Sequence, residues 1–122
     1  MAACRATVDT LAAGGEALYA SVEQRGRHLI DGFNDIGRRH GVPLHAQGLG
    51  TVFATVFTDA PPVVDYRGYR AGDEEMRLAF VHALQDHGVR TTARGTWFMS
   101  AVHSDEDIDA TLDAAERAAS SL

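Results

Sequence analysis

The sequence predicts an α+β fold in which a small, mostly antiparallel or mixed sheet is packed with helices. Three features predict it. Long segments repeat apolar residues every three or four positions, short segments between them are rich in β-branched and aromatic residues, and the connections between the short segments are local. At 122 residues the chain holds a single domain. A domain of this size can bury about two-thirds of the surface that its unfolded form exposes.

The elements follow in order. Residues 1–13 place Cys4, Val8, Leu11 and Ala12 on one helical stripe, and Gly14-Gly15 ends it. No Ser, Thr, Asp or Asn precedes this run to cap it, so 1–13 reads as the remnant of a helix leading from something longer. From Glu16 to His40, Leu18, Val22, Leu29, Phe33 and Ile36 recur at helical intervals, and Gly41 with Pro43 supplies the stop. Leu44–Gln47 and Thr51–Phe57 read as strands joined at Gly48-Leu49-Gly50, a hairpin turn or bulge, the second strand covered on both faces. A long loop, 58–72, is rich in apolar residues (Val63, Val64, Tyr66, Tyr69) and is expected to rest on another surface. Asp73 caps a helix running to His87 with Met76, Phe80, Ala83 and Leu84 inward, stopped by Gly88. Val89–Thr92 and Trp97–Val102 read as a third and a fourth strand around Arg94-Gly95. Ser104 and Asp107 form a capping box for a last helix carrying Ile108, Leu112, Ala115 and Ala119.

Composition removes several function classes. A formal charge of -6 repels phosphate backbones and anionic lipid, so neither nucleic acid nor a membrane surface is an expected partner. The longest run rich in apolar residues, Thr51–Phe57, is far too short to span a bilayer. Met1–Gly15 carries Arg5 and Asp9 where a signal peptide needs an unbroken apolar core. Cys4 is alone, which excludes an intrachain disulfide and fits a reducing compartment, the cytoplasm by default. All 11 basic residues are arginines. Without lysine the chain can form no Schiff base through a side chain, no Walker-type phosphate contact and no Ser-Lys dyad.

Of the residues that could carry chemistry, most have a plainer reading. His82 and His87 stand five apart on a helix, about 140° around its axis from one another, and cannot share a metal ion. Ser100 and His103, on opposite faces of an expected strand, cannot exchange a proton directly. The acidic run Asp105, Glu106, Asp107, Asp109 lacks the glycine and the bidentate glutamate of a calcium loop, and helix capping accounts for it. Arg94 stands out: a cation beside Gly95 on a short connection next to Trp97 is a common carboxylate holder, an exposed loop arginine being the competing reading.

The stretch Phe98-Met99-Ser100-Ala101-Val102-His103-Ser104-Asp105-Glu106-Asp107-Ile108-Asp109 resembles the closing segment of class III pyridoxal-phosphate-dependent aminotransferases, particularly the glutamate-1-semialdehyde 2,1-aminomutase group. Further pieces fall in matching order: Ala2-Ala3 with Thr7–Leu11, Arg27-Leu29-Gly32, Gly50-Thr51-Val52-Phe53 through Phe57-Thr58-Asp59, and Val64-Asp65-Tyr66. The resemblance implies that residues 1–122 are the C-terminal small domain of a fold type I PLP enzyme, a transaminase or an aminomutase (an isomerase), working as a cytoplasmic homodimer. It also implies a large domain, in cis or in trans, that carries the pyridoxal phosphate and its lysine. On this resemblance the chain helps to close the active-site cleft and is inactive alone. Thr92–Trp97 departs from the aminomutase pattern and is more similar to aminomutase-like transaminases with Arg-Gly at this place. Arg94 then matches the position of a small-domain arginine that receives substrate carboxylate. The alternative on residues alone is a stand-alone α+β module for binding or oligomerisation, without enzymatic activity.

Overall fold

The computed structural model describes all 122 residues. Helix α1 (Ala2–His40) is interrupted at Gly15, whose φ of 54° and ψ of -153° are not helical, so two helices meet there at a kink. Up to Ala20 no residue is buried. From Val22 onward the expected stripe sinks into the core through Leu29, Ile30, Phe33 and Ile36, and the helix stops at left-handed Gly41.

Strands β1 (Leu44–Gly48) and β2 (Val52–Phe57) form an antiparallel hairpin in the register Leu44↔Phe57 to Gly48↔Phe53. A five-residue helix, α2 (Tyr66–Arg70), interrupts the expected loop. Asp65 caps it by accepting from the Gly68 amide at 2.8 Å. Helix α3 (Glu74–Asp86) starts at the Asp73 cap, strand β3 (Thr96–Phe98) pairs antiparallel with β2, and helix α4 (Asp105–Ser120) opens on the capping box of Ser104 and Asp107. The architecture is α+β, with a three-stranded antiparallel sheet in the order β1-β2-β3.

Two of the expected strands differ as well. Val89–Thr92 is not a strand, because the Val89 amide is spent on Leu84 O and the Thr91 and Thr92 hydroxyls, not backbone groups, meet Thr96. The strand predicted over Trp97–Val102 ends at Phe98. Its continuation folds into a turn closed by His103 N donating to Ser100 O.

One face of the sheet carries the core. Phe53 and Trp97, cross-strand partners, lie parallel with ring centroids 5.8 Å apart, and Phe33 of α1 sits 4.9 Å from Trp97. Phe80 of α3 meets Phe57 edge-on at 5.4 Å. Helix α4 packs against α1 and α3 and buries Ala114, Ala115, Ala118 and Ala119, small side chains that allow a close approach. The other sheet face is only partly covered. The Gln47 side chain exchanges two hydrogen bonds with the Val63 backbone, holding the 58–65 segment there, while Val52 and Phe98 stay exposed. No helix is long and apolar enough to cross a membrane.

The hairpin tip is fixed to α1. The Glu23 carboxylate accepts from the Gly50 and Thr51 amides at 3.0 and 3.2 Å, and Arg27 donates to Gly48 O at 3.1 Å. The Gly50 amide first, then the Arg27 guanidinium that bonds Glu23 at 3.0 Å, then the Thr51 amide, hold the Glu23 carboxyl below its ordinary pKa. Gly26 and Gly50 touch backbone to backbone at this point.

Candidate functional site

Arg94 lies in the connection between α3 and β3, which is a loop and not, as expected, a link between two strands. It is exposed, and its guanidinium makes no ion pair. Together with α2, the start of α3 and the outer side of β2 it lines a cleft of about 560 Å³.

The loop that presents Arg94 is held by its own carbonyl oxygens. Arg77 of α3 donates to Ala93 O, the Tyr69 hydroxyl of α2 donates to Arg94 O at 3.1 Å, and Thr55 of β2 donates to Gly95 O through its amide at 2.8 Å. The buried Thr55 hydroxyl also reaches Gly95 O at 3.3 Å and accepts from the Trp97 indole at 3.1 Å. Gly95 adopts φ 76°, and a Cβ there would stand 2.4 Å from Thr55 O, so the turn requires glycine twice over.

Charge in the cleft is uneven. Arg77 is buried yet satisfied: besides Ala93 O it bonds the Glu74 carboxylate at 3.1 Å and lies 5.6 Å from the centre of the Tyr69 ring. Arg70 reaches the same carboxylate at 3.8 Å. Glu74 is thus committed to two arginines and Asp73 to the cap of α3, which leaves the Arg94 guanidinium without a carboxylate. An unpaired, exposed arginine on an ordered loop can accept a carboxylate in a two-point hydrogen bond.

Tyr69, Arg77 and Thr55 were not singled out from the sequence as site residues. Arg77 carried a readable signal, since it stands three and seven positions before Phe80 and Leu84 and so on the same inward stripe. A charged residue on a buried face requires partners.

A larger hollow of about 960 Å³ lies between α3, the 88–93 segment, β3 and α4. Two of its polar side chains, Asp107 and His103, are already engaged. Asp107 accepts from the Ser104 amide, which lowers its pKa, and His103 Nδ1 accepts from the Ser100 amide at 3.2 Å. Ser100 and His103 therefore meet across a turn, not on opposite faces of a strand. The contact runs through the Ser100 backbone, and its hydroxyl accepts from Val102 N. His82 and His87 are exposed, and no group of three or more His, Cys, Asp and Glu residues could hold a metal ion.

No protein-family model matches the sequence. Solved transaminase structures do match the fold. The chain is similar to the FumI protein of Sphingopyxis, solved in its PLP internal aldimine form, at 26% identity and TM-score 0.69, covering 84% of this chain and 22% of that one. An omega-transaminase from Sphaerobacter thermophilus matches at 20% identity and TM-score 0.72, with 86% of this chain and 24% of that one covered. A β-phenylalanine aminotransferase from Variovorax paradoxus matches at 23% and 0.72, over 79% of this chain and 22% of that one. The chain thus has the fold of a part of PLP-dependent transaminases and spans less than a quarter of the length of each of these three.

Proposed function

We propose that this chain is the C-terminal small domain of a class III pyridoxal-phosphate-dependent transaminase or aminomutase, closing the active-site cleft and holding a substrate carboxylate on Arg94. One observation carries the reading. Most of the chain superposes on solved transaminases, yet it accounts for less than a quarter of them. The chain's own residues do not suit the cofactor: with no lysine among them, no side chain can bind pyridoxal phosphate as a Schiff base. The coenzyme and its lysine belong to a large domain supplied in cis or in trans, and the parent enzyme is a homodimer.

Arg94 supports its assigned role by being exposed, uncommitted and mounted on a held loop. The exposed half of α1, with Val8 and Tyr19 uncovered, and the bare Val52–Phe98 pair are surfaces for the large domain to cover. The free thiol of Cys4 agrees with a reducing, cytoplasmic setting.

A second reading, a stand-alone module for binding or oligomerisation, is favoured by the closed core of 16 buried residues and by the absence of any buried side-chain polar atom lacking a partner.

The discriminating experiment is borohydride reduction of the purified chain with pyridoxal phosphate, together with an amine-transfer assay. The proposal expects an adduct only at the Met1 amine and no turnover, with turnover appearing once a lysine-bearing segment encoded in adjacent DNA is co-expressed. Turnover by the 122-residue chain alone would overturn it.

A further inference from the structure

The strongest uncommitted feature of the molecule is the way the Arg94 loop is fastened. Three consecutive carbonyl oxygens are held from three different elements: Ala93 O from α3, Arg94 O from α2 and Gly95 O from β2. The Gly95 contact is buried and structural. The one at Arg94 is different, because an exposed carbonyl could bond water at little cost. Tyr69 itself has two close neighbours, the Tyr66 ring stacked with centroids 6.2 Å apart and the Arg77 guanidinium 5.6 Å from its ring centre. Its hydroxyl is therefore a preset anchor, not a mobile chain that happens to reach the loop.

We infer that Tyr69 is a positioning residue, which through its hydroxyl fixes the backbone of Arg94, so that the loop presenting the guanidinium is ordered before a carboxylate arrives. The inference rests on the proposed role of Arg94 and names what serves it. Fixing the backbone beforehand removes part of the ordering cost that binding would otherwise incur. Nothing need pass from Tyr69 to the ligand. Arg77 supports the same loop one residue earlier, but it is buried and its removal would disturb the core, so Tyr69 is the residue at which positioning and folding separate.

The test uses the full chain labelled with ¹⁵N. Backbone relaxation of residues 93–95 is compared in the wild type, in Tyr69→Phe, which keeps the ring and loses the hydroxyl, and in Tyr66→Phe, whose hydroxyl makes no bond to the loop. The order parameter at Arg94 is expected to fall below the rigid-backbone value of about 0.85 in Tyr69→Phe alone, with Ala93 and Gly95, still held by Arg77 and Thr55, changing less. In parallel, sodium 3-phenylpropionate and its neutral amide are titrated against the Arg94 Nε–Hε signal. The acid and not the amide should move it, and Tyr69→Phe should weaken the acid about threefold or more, a loss of roughly 0.7 kcal/mol by RT ln 3. An unchanged order parameter in Tyr69→Phe overturns the inference. So does a loosened loop with unchanged affinity in a chain that binds the acid. If the acid leaves the wild-type signal unmoved, the carboxylate role of Arg94 fails, and the relaxation comparison still decides whether Tyr69 fixes the loop.

Discussion

Two glycines of the long helix should answer the same substitution with opposite sign. Glycine inside a helix costs about 1 kcal/mol relative to alanine, so Gly→Ala is normally a gain. At Gly26 the new Cβ would stand 1.7 Å from Gly50 O and 2.4 Å from its carbonyl carbon, both of them backbone atoms. The hairpin tip must retreat by more than an ångström, which strains its bonds to Glu23 and the Arg27 contact to Gly48 O. Overpacking of this kind costs about 1–3 kcal/mol, occasionally more, and with the tip bonds disturbed we expect a net loss of about 2 kcal/mol. At Gly32 the Cβ would meet Leu112 Cδ2 at 2.4 Å, the end of a half-buried side chain that can rotate away, so the net effect lies between about zero and a gain of 1 kcal/mol. Urea unfolding followed by the fluorescence of Trp97, the one tryptophan in the chain, measures both. A loss of 2 kcal/mol corresponds to roughly 8 °C in Tm for a domain of this size. Equal shifts for the two variants, or a Gly26→Ala protein as stable as the wild type, would refute the reasoning.

Thr55→Val should cost about 1–3 kcal/mol, because the buried Trp97 indole N–H loses its acceptor, whereas Thr55→Ser should recover most of it in the same urea experiment. Glu116 accepts from His40 at 2.6 Å and from Arg39 at 2.7 Å, and these bonds, His40 first, lower its pKa. A carboxylate with a depressed folded-state pKa adds stability above its unfolded value and loses it as pH falls through the folded one, so Glu116→Gln should flatten the acid limb of stability below about pH 4.3; urea midpoints at pH 3 and pH 6 decide it. Arg94→Ala, at an exposed cation without an ion pair, should change stability by no more than about 0.5 kcal/mol while abolishing any response to a carboxylate ligand.

Most of the fold was legible because its signals are local. The stripe from Val22 to Ile36, the Asp73 and Ser104 caps and the alternation of Thr51–Phe57 each state their element within a few residues. What failed turns on side-chain bonds and short segments that hydrophobic pattern and propensity do not weigh. Whether Val89–Thr92 joins a sheet depends on the threonine hydroxyls occupying Thr96, sites that β-propensity does not weigh. The helix over Tyr66–Arg70 was hidden by its shortness and by Gly68, although Asp65 stands where a cap belongs. At the site, Arg94 was visible as a cation beside a turn glycine. The partners of its loop come from residues 16 to 40 positions away, a distance that no periodicity spans.

The bend at Gly15 gives the molecule an aim as well as a body. A Cβ there would meet nothing within 4 Å, so only the backbone angle, and no neighbour, keeps a side chain out. The preceding 13 helical residues form an arm about 20 Å long. Alanine at this position would favour an unbroken rod and swing the tip to a new bearing while every core contact stayed as it is. One missing methyl group thus steers where the domain reaches.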